Sequence, residues 1–134
     1  MEKKPKKYSY HRDATLPKNG EIFVFGSNLA GRHGAGAAKA ALLYGAKMGQ
    51  GIGHFGQSYA LPTKDERIRT LPIGMVRTYV TNFCRYAAAN PQYTFFVTAI
   101  GTGLAGFKNM EIAPMFIDAP TNCNFPEQWE IYFE

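Results

Sequence analysis

Two nearly continuous apolar segments, each running straight into a glycine-rich loop, constrain the fold of this chain most strongly. Residues 21–27 read EIFVFGS and precede the loop LAGRHGAGAA, whereas residues 93–100 read YTFFVTAI and precede GTGLAGF. Runs of β-branched and aromatic residues that end at glycine are typical of strands buried on both faces. Helix-forming segments follow both loops, over 35–47 and from Asn109 to residue 118, so each loop is predicted to connect a strand to a helix.

The rest of the chain continues this alternation of strands and helices. SYALP (58–62) and QWEIYF (128–133) have strand-like patterns, and residues 73–90 place apolar side chains at helical spacing before Pro91. The alternation predicts an α/β fold, a three-layer α/β/α sandwich with a mixed, mostly parallel sheet. Ligands of such folds bind beyond the carboxyl ends of the strands. If strands 21–27 and 93–100 are neighbours, the two glycine-rich loops therefore face each other across one cleft.

The positive charge of the chain is concentrated at its N-terminus. The net charge is +5, but nine cations and eight anions beyond residue 20 leave only +1 there. We therefore predict a basic N-terminal arm over 1–19 and a single domain over 20–134. A short basic run is typical of a solvated arm, and an alternative is a nucleic-acid- or protein-binding module that uses this arm. The lysines that would contact nucleic acid are Lys3, Lys4, Lys6 and Lys7.

The cysteines and histidines lack the spacing of a metal site. Cys84 and Cys123 stand alone, and His11, His33 and His54 are scattered, so we expect no bound metal, no cofactor and free thiols. No apolar run approaches the ~20 residues that span a bilayer. The N-terminus also lacks the apolar core of a signal peptide. These features predict a cytoplasmic protein without a membrane partner, and they leave its oligomeric state open.

The glycine-rich loops do not match the two common nucleotide-binding motifs. No Gly-Lys-Ser/Thr occurs, and Gly31, Gly34 and Gly36 have the reverse of the dinucleotide-binding spacing. Glycines nevertheless let backbone amides approach a diphosphate closely, and the helix start near Ala35 adds further donors. The second loop offers an equivalent set, with the Thr102 hydroxyl beside its glycines. Tight turns without a ligand remain the alternative interpretation.

Three polar side chains near these loops are candidate catalytic residues. Asn28 lies just past the first strand and either bonds its own backbone in a turn or reads a sugar hydroxyl. His33 is expected to be exposed and is either a surface histidine or a general base. Asp65, next to Lys64, belongs either to a solvated corner or to a catalytic pair. Both interpretations stay open for each residue.

Two segments resemble the ligand loops of macro domains. IFVFGSN followed by HGAGAA is similar to the first loop of that family, and FFVTAIGTGLAGF is similar to the second. More closely, residues 20–134 resemble a family of small phage and prophage non-structural proteins of unassigned function. The resemblance implies a macro-domain-like fold that binds ADP-ribose or a related nucleotide. For a phage-encoded protein, the compartment would be the cytoplasm of the bacterial host.

The resemblance also implies roles for individual residues. Asn28 matches the asparagine at the distal ribose, Phe107 matches the aromatic residue near that ribose, and Glu21 stands where the family reads adenine with an aspartate. The function implied is nucleotide binding, either with hydrolysis, in which His33 or Asp65 activates water, or as sequestration of a nucleotide signal. The predicted ligand-binding residues are Gly26, Ser27, Asn28, Gly31, Gly34, Ala35, Gly36, Gly101, Thr102, Gly103, Leu104, Ala105, Gly106 and Phe107.

Overall fold

The computed structural model describes residues 6–134, which form a six-stranded sheet with helices on both faces. The strands are β1 (Ser9–His11), β2 (Ile22–Asn28), β3 (Gly53–Phe55), β4 (Ser58–Lys64), β5 (Phe95–Val97) and β6 (Cys123–Pro126). Their order across the sheet is β1-β6-β5-β2-β4-β3. All neighbouring strands pair in parallel except β3, which is antiparallel to β4. The predicted fold class, an α/β/α sandwich with a mixed, mostly parallel sheet, is confirmed.

The two faces of the sheet are covered unequally. The alternation of side chains along β2 sends Ile22 and Val24 to one face and Phe23 and Phe25 to the other. The first face carries the main core, which packs under α2 (Ile73–Ala89), α3 (Asn109–Ile112) and the 3₁₀ helices Ala113–Phe116 and Glu127–Phe133. The second face is covered by α1 (Gly36–Ala41) and a 3₁₀ turn (Leu42–Tyr44). The six-residue α1 covers little of that face, which leaves room for a cleft.

The helix predictions are confirmed in one case and shortened in two. Residues 73–89 form α2, with Val76, Val80, Phe83 and Ala87 buried along one side as the spacing predicts. The helix predicted over 35–47 ends much earlier, because Gly45 adopts φ 101° and stops the turn that follows α1. The helix predicted from Asn109 to residue 118 changes to 3₁₀ geometry after residue 112, because Pro114 lacks the N–H that an α-helix needs.

The strand prediction for 128–133 is wrong, because this segment is a 3₁₀ helix and the last strand precedes it at Cys123–Pro126. The helix buries Trp129 completely in the main core, and its indole N–H donates to Asn109 Oδ1 at 2.8 Å. Strand β5 is shorter than predicted, since the chain leaves the sheet after Val97 and enters a turn at Ile100. The three-residue strands β1 and β3 were not predicted, because strands this short carry no measurable alternation.

The predicted boundary between an arm over 1–19 and a domain from residue 20 is wrong for the residues that the structure describes. Tyr8 is buried in the main core, where its hydroxyl donates to the Ala119 carbonyl at 2.7 Å. The next three residues form β1, which pairs with β6 at the edge of the sheet. Lys6 forms an ion pair with Glu130 at 2.8 Å. Lys3 and Lys4 lie outside the described residues.

Candidate functional site

A cleft of about 630 Å³ opens on the α1 face, at the carboxyl ends of β2 and β4 and beside the end of β5. Because β2 pairs with both β4 and β5, the loops that follow β2 and β5 face each other. The prediction that both glycine-rich loops border one cleft is therefore confirmed. The predicted ligand-binding residues that line this cleft are Gly26, Ser27, Asn28, Gly34, Ala35, Gly36, Gly101, Thr102, Gly103, Leu104 and Ala105.

Three predicted ligand-binding residues, Gly31, Gly106 and Phe107, do not line the cleft. Gly31 has φ +68°, and a Cβ built on it would lie 2.3 Å from the backbone nitrogen of Gln50. Gly31 is therefore required for backbone packing between two loops rather than for ligand access. The ring of Phe107 packs beneath Gly101 at the edge of the main core, which takes it away from the cleft.

The second loop, 101–107, has backbone donors that the described residues leave unused. Within residues 6–134, the amides of Gly101, Gly103, Leu104 and Ala105 donate to no protein acceptor. The Thr102 hydroxyl, predicted as a further donor, instead donates to the Ala99 carbonyl at 2.7 Å and fixes the turn. Clustered free amides of this kind bind anionic oxygens. The second loop therefore offers backbone amides, but not the Thr102 hydroxyl proton, to an anion.

The start of α1 contributes less than the sequence predicts. Ala35 provides no side-chain cap, and α1 has only six residues. Since the helix dipole is the sum of aligned peptide dipoles, little more than one turn of helix generates only a small positive potential. The glycines of this loop act mainly by leaving space, because a Cβ at Gly34 would meet no atom within 4 Å.

Asn28 lies at the end of β2 and lines the cleft, and its side chain closes the loop that follows. Its Nδ2 donates to the Arg32 carbonyl at 2.8 Å, and its Oδ1 accepts the Arg32 N–H at 2.9 Å. Of the two interpretations left open by the sequence, the turn is the one present in the structure. One N–H of the side chain has no acceptor within residues 6–134 and can still donate to a ligand.

His33 was expected to be exposed, and this prediction is wrong. Its side chain is 1% exposed, and Nε2–H donates to the carbonyls of Lys47 at 2.9 Å and Gln50 at 3.1 Å. The ring also meets Phe25 edge-on, with the centroids 5.4 Å apart. His33 does not line the cleft. Its Nε2–H ties the first loop to residues 47–50, and its buried Nδ1 has no hydrogen-bond partner within residues 6–134.

Asp65 does not line the cleft either, so of its two interpretations the structure favours the corner of the loop over the catalytic pair. Its Oδ1 accepts the backbone N–H groups of Arg67 and Arg69 at 2.8 and 2.9 Å, and its Oδ2 accepts the Arg69 Nε–H at 3.1 Å. The hydrogen bond from the Arg69 backbone is the main reason why the pKa of this carboxyl lies below its usual value. The carboxylate therefore organises the loop 65–69.

The other end of the cleft is formed by a segment that the sequence analysis assigned to the N-terminal arm. The last residue of β1, His11, and four residues of the connection to β2 contribute to the lining; the four are Asp13, Ala14, Thr15 and Leu16. Asp13 is thus the acidic residue of this lead-in that lines the cleft, whereas Glu21 does not and instead accepts the backbone N–H of Lys18. The signal in the sequence was Asp13, an aspartate shortly before an apolar strand. It was missed because residues 1–19 were assigned to an arm outside the domain.

His11 forms an aromatic pair with Phe96 at this end of the cleft. The two rings stack with their centroids 3.8 Å apart and their planes 19° from parallel. His11 Nδ1–H donates to Asn124 Oδ1 on β6, which fixes the orientation of the ring. Phe23, Leu16 and the alanines of α1 complete the apolar surroundings.

The burial of His11 predicts that the stability of the protein depends on pH. Burial is the main cause that lowers the pKa of His11, while the hydrogen bond to Asn124 acts in the opposite direction. His11 therefore binds a proton more tightly in the unfolded chain than in the folded one. The folded state has its full stability above about pH 6.5, and part of that stability is lost as the pH falls through the pKa of His11 in the folded protein. We expect Tm to decrease from about pH 7 to about pH 5, and less steeply in His11→Phe. An equally steep decrease in the variant would contradict this assignment.

The charges of the lining differ between the two ends. Arg32 and Lys64 line the cleft where β2 and β4 end, and neither has a carboxylate within 4 Å among residues 6–134. Asp13 is the only acidic side chain in the lining formed by those residues. The cleft thus has a cationic, amide-rich half and an apolar half with one carboxylate.

Other chemistry is limited in the described part of the chain. No three His, Cys, Asp or Glu side chains of residues 6–134 are grouped so that they could hold a metal ion. Burial raises the pKa of the Cys84 thiol to about 11 and raises that of Cys123 as well, so both thiols are protonated at neutral pH. None of the helices formed by these residues has the length and apolar character needed to cross a bilayer.

Comparisons with known proteins identify no relative of this chain. A scan against protein-family models, a search of curated proteins and a search of solved structures each find no match. The resemblance to macro domains therefore stays a prediction, and the functional assignment depends on the geometry of the cleft.

Proposed function

We propose that this protein binds ADP-ribose or a related nucleotide diphosphate in the cleft between its two glycine-rich loops. The observation that carries the proposal is the division of one cleft into two chemically distinct halves. The half formed by the ends of β2 and β4 and by residues 101–105 has free amides and two cations. The other half has stacked aromatic rings and apolar side chains. A nucleotide diphosphate combines an anionic centre with a planar, largely apolar base.

The two halves support one orientation of the proposed ligand. The base enters the half with His11 and Phe96, where Asp13 accepts a hydrogen bond from an exocyclic amino group. The diphosphate lies against the amides of residues 101–105, with Arg32 and Lys64 supplying positive charge. A group beyond the diphosphate reaches the end of β2, where the second N–H of the Asn28 side chain can donate to it.

Binding without turnover is the version of this proposal that the lining favours. Neither His33 nor Asp65 faces the cleft, because both side chains are engaged in holding loops. Among the described residues, the only carboxylate of the lining is Asp13, in the half that we assign to the base. A general base must lie within hydrogen-bond reach of the attacking water. We therefore propose sequestration of a nucleotide rather than its hydrolysis.

Isothermal titration calorimetry with ADP-ribose tests this proposal. We expect saturable binding, and we expect Arg32→Ala and Lys64→Ala each to weaken it by at least about tenfold, since a charge-assisted hydrogen bond contributes about 1.5–3 kcal/mol. Higher salt should weaken binding to the unchanged protein more than binding to the double variant. Arg67→Ala is the matched control, because Arg67 is an exposed arginine outside the cleft.

The proposal fails if the unchanged protein binds neither ADP-ribose nor ADP at millimolar concentration. Equal losses in the Arg67→Ala control would show that net charge matters rather than the two lining cations. The alternative, a nucleic-acid- or protein-binding module that uses the basic N-terminus, stays a prediction. In the described part of that segment, Lys6 is paired with Glu130 and Lys7 donates to the Ile117 carbonyl.

A further inference from the structure

Ile68 has a backbone conformation that its side chain disfavours, and it lines the cleft. Its φ is +64°, in the left-handed region that β-branched residues rarely adopt. Only one other non-glycine residue among 6–134 has a positive φ, and it is Ala14, which also lines the cleft. Such conformations persist only where the surrounding structure enforces them, and they cluster at ligand-binding sites.

The loop around Ile68 is held in this conformation by Asp65. The carboxylate accepts three hydrogen bonds from Arg67 and Arg69, and the Asp65 N–H donates to the Arg69 carbonyl at 2.7 Å. The Ile68 N–H donates to the Asp65 carbonyl at 3.1 Å. A five-residue loop is thus closed on both sides of one strained residue. The side chain of Asp65 is used entirely for this closure.

The same loop is attached to the second glycine-rich loop. The Thr70 hydroxyl donates to the Ala105 carbonyl at 2.9 Å, next to Leu104. Ile68 is 38% exposed and Leu104 is 77% exposed, although both line the cleft. Two aliphatic side chains are therefore left partly open to solvent, one on the loop that follows β4 and one on the second glycine-rich loop.

We propose that Ile68 is a specificity-determining contact for the part of the ligand that extends beyond the diphosphate, and that Asp65 is the positioning residue that holds it there. This inference rests on the proposed function. Ile68 and Leu104 cover the carbon-bearing face of a sugar or similar ring attached to the second phosphate. Bare ADP lacks that group, so Ile68 sets the preference for ADP-ribose over ADP.

The test compares the affinities of ADP-ribose and ADP by calorimetry in three variants. Ile68→Asn keeps a residue that tolerates the left-handed conformation but removes the aliphatic contact. We expect it to weaken ADP-ribose binding about tenfold, to leave ADP binding unchanged, and to leave Tm equal or higher. Asp65→Ala should weaken ADP-ribose binding to a similar degree with ADP unaffected, whereas Asp65→Asn should restore most of it, because Oδ1 still accepts the two backbone N–H groups.

Each other outcome overturns the inference. An unchanged ratio of ADP-ribose to ADP affinity in Ile68→Asn shows that Ile68 contacts no ligand group beyond the diphosphate. A lower Tm in that variant shows that Ile68 is retained for packing and not for binding. Equal losses in Asp65→Asn and Asp65→Ala show that Asp65 acts through its charge and not by holding the loop. If the unchanged protein binds neither nucleotide, the proposed function fails together with this inference, whereas tight binding without discrimination overturns the inference alone.

Discussion

Replacing Gly103 by valine is expected to abolish the nucleotide binding that we propose, while the protein remains folded. Gly103 lines the cleft on the second loop, its φ is not in the left-handed region, and a Cβ built on it meets no atom within 4 Å. The backbone therefore accepts a side chain, which then occupies the space that we assign to the diphosphate. We expect calorimetry with ADP-ribose to show a loss of at least about 100-fold, or about 2.8 kcal/mol, with Tm within a few degrees of its original value.

Gly74→Val is the matched control for this substitution. Gly74 lies in the first turn of α2, outside the cleft, and a Cβ there also meets no atom within 4 Å. This variant should fold and bind ADP-ribose normally. If Gly103→Val unfolds the protein while Gly74→Val does not, the second loop is a tight turn that needs glycine for its backbone conformation and not for a ligand. If Gly103→Val binds normally, the diphosphate does not lie against that loop.

Gly31→Ala is expected to cause the largest loss of stability among the glycines of the two glycine-rich loops. The left-handed φ costs an alanine about 1–2 kcal/mol, and the added methyl group would lie 2.3 Å from the Gln50 nitrogen. Displacing packed backbone costs about 1–3 kcal/mol more, so we expect the free energy of unfolding to fall by roughly 2–5 kcal/mol. Chemical denaturation of the variant measures this loss, which is a large part of the ~5–15 kcal/mol that stabilises a typical domain.

Gly34→Ala is the matched control, three residues along the same loop. A Cβ at Gly34 has open space, and its φ is not in the left-handed region, so we expect a change of less than about 1 kcal/mol. Similar losses in both variants would contradict the distinction between a packing glycine and a glycine that leaves room for a ligand. Because Gly31 N–H donates to the Asn28 carbonyl at 3.0 Å, Gly31→Ala should also weaken any binding that depends on Asn28.

The elements that could be predicted from the sequence are those whose pattern is local and long. The seven-residue strands β2 and β4 and the 17-residue helix α2 carry enough periodic apolar residues to identify them. The position of the cleft followed from the same information, because loops after neighbouring parallel strands meet at one edge of the sheet.

The elements that could not be predicted depend on partners distant in the chain. Strand β1 has three residues and exists because it pairs with β6, more than 100 residues away. Residues 128–133 alternate like a strand, but the burial of Trp129 against Phe116 and Phe125 favours a 3₁₀ helix. Local propensity is a weak preference, and tertiary packing readily outweighs it.

The same division holds for the candidate site. The sequence alone identified two strand-loop segments, the glycines in them and their common cleft, because glycine marks places where a backbone must turn or be approached. Which glycine serves which purpose was decided by the segment opposite: Gly31 faces the backbone of Gly49 and Gln50, whereas Gly34 and Gly103 face open space. Likewise, His33 and Asp65 lie near the loops in sequence, but their side chains form hydrogen bonds within the protein and do not line the cleft. His11 and Asp13 line the cleft because β1 pairs with β6 at the edge of the sheet. A side chain's chemistry is encoded locally, but its surroundings are supplied by residues that only folding brings within reach.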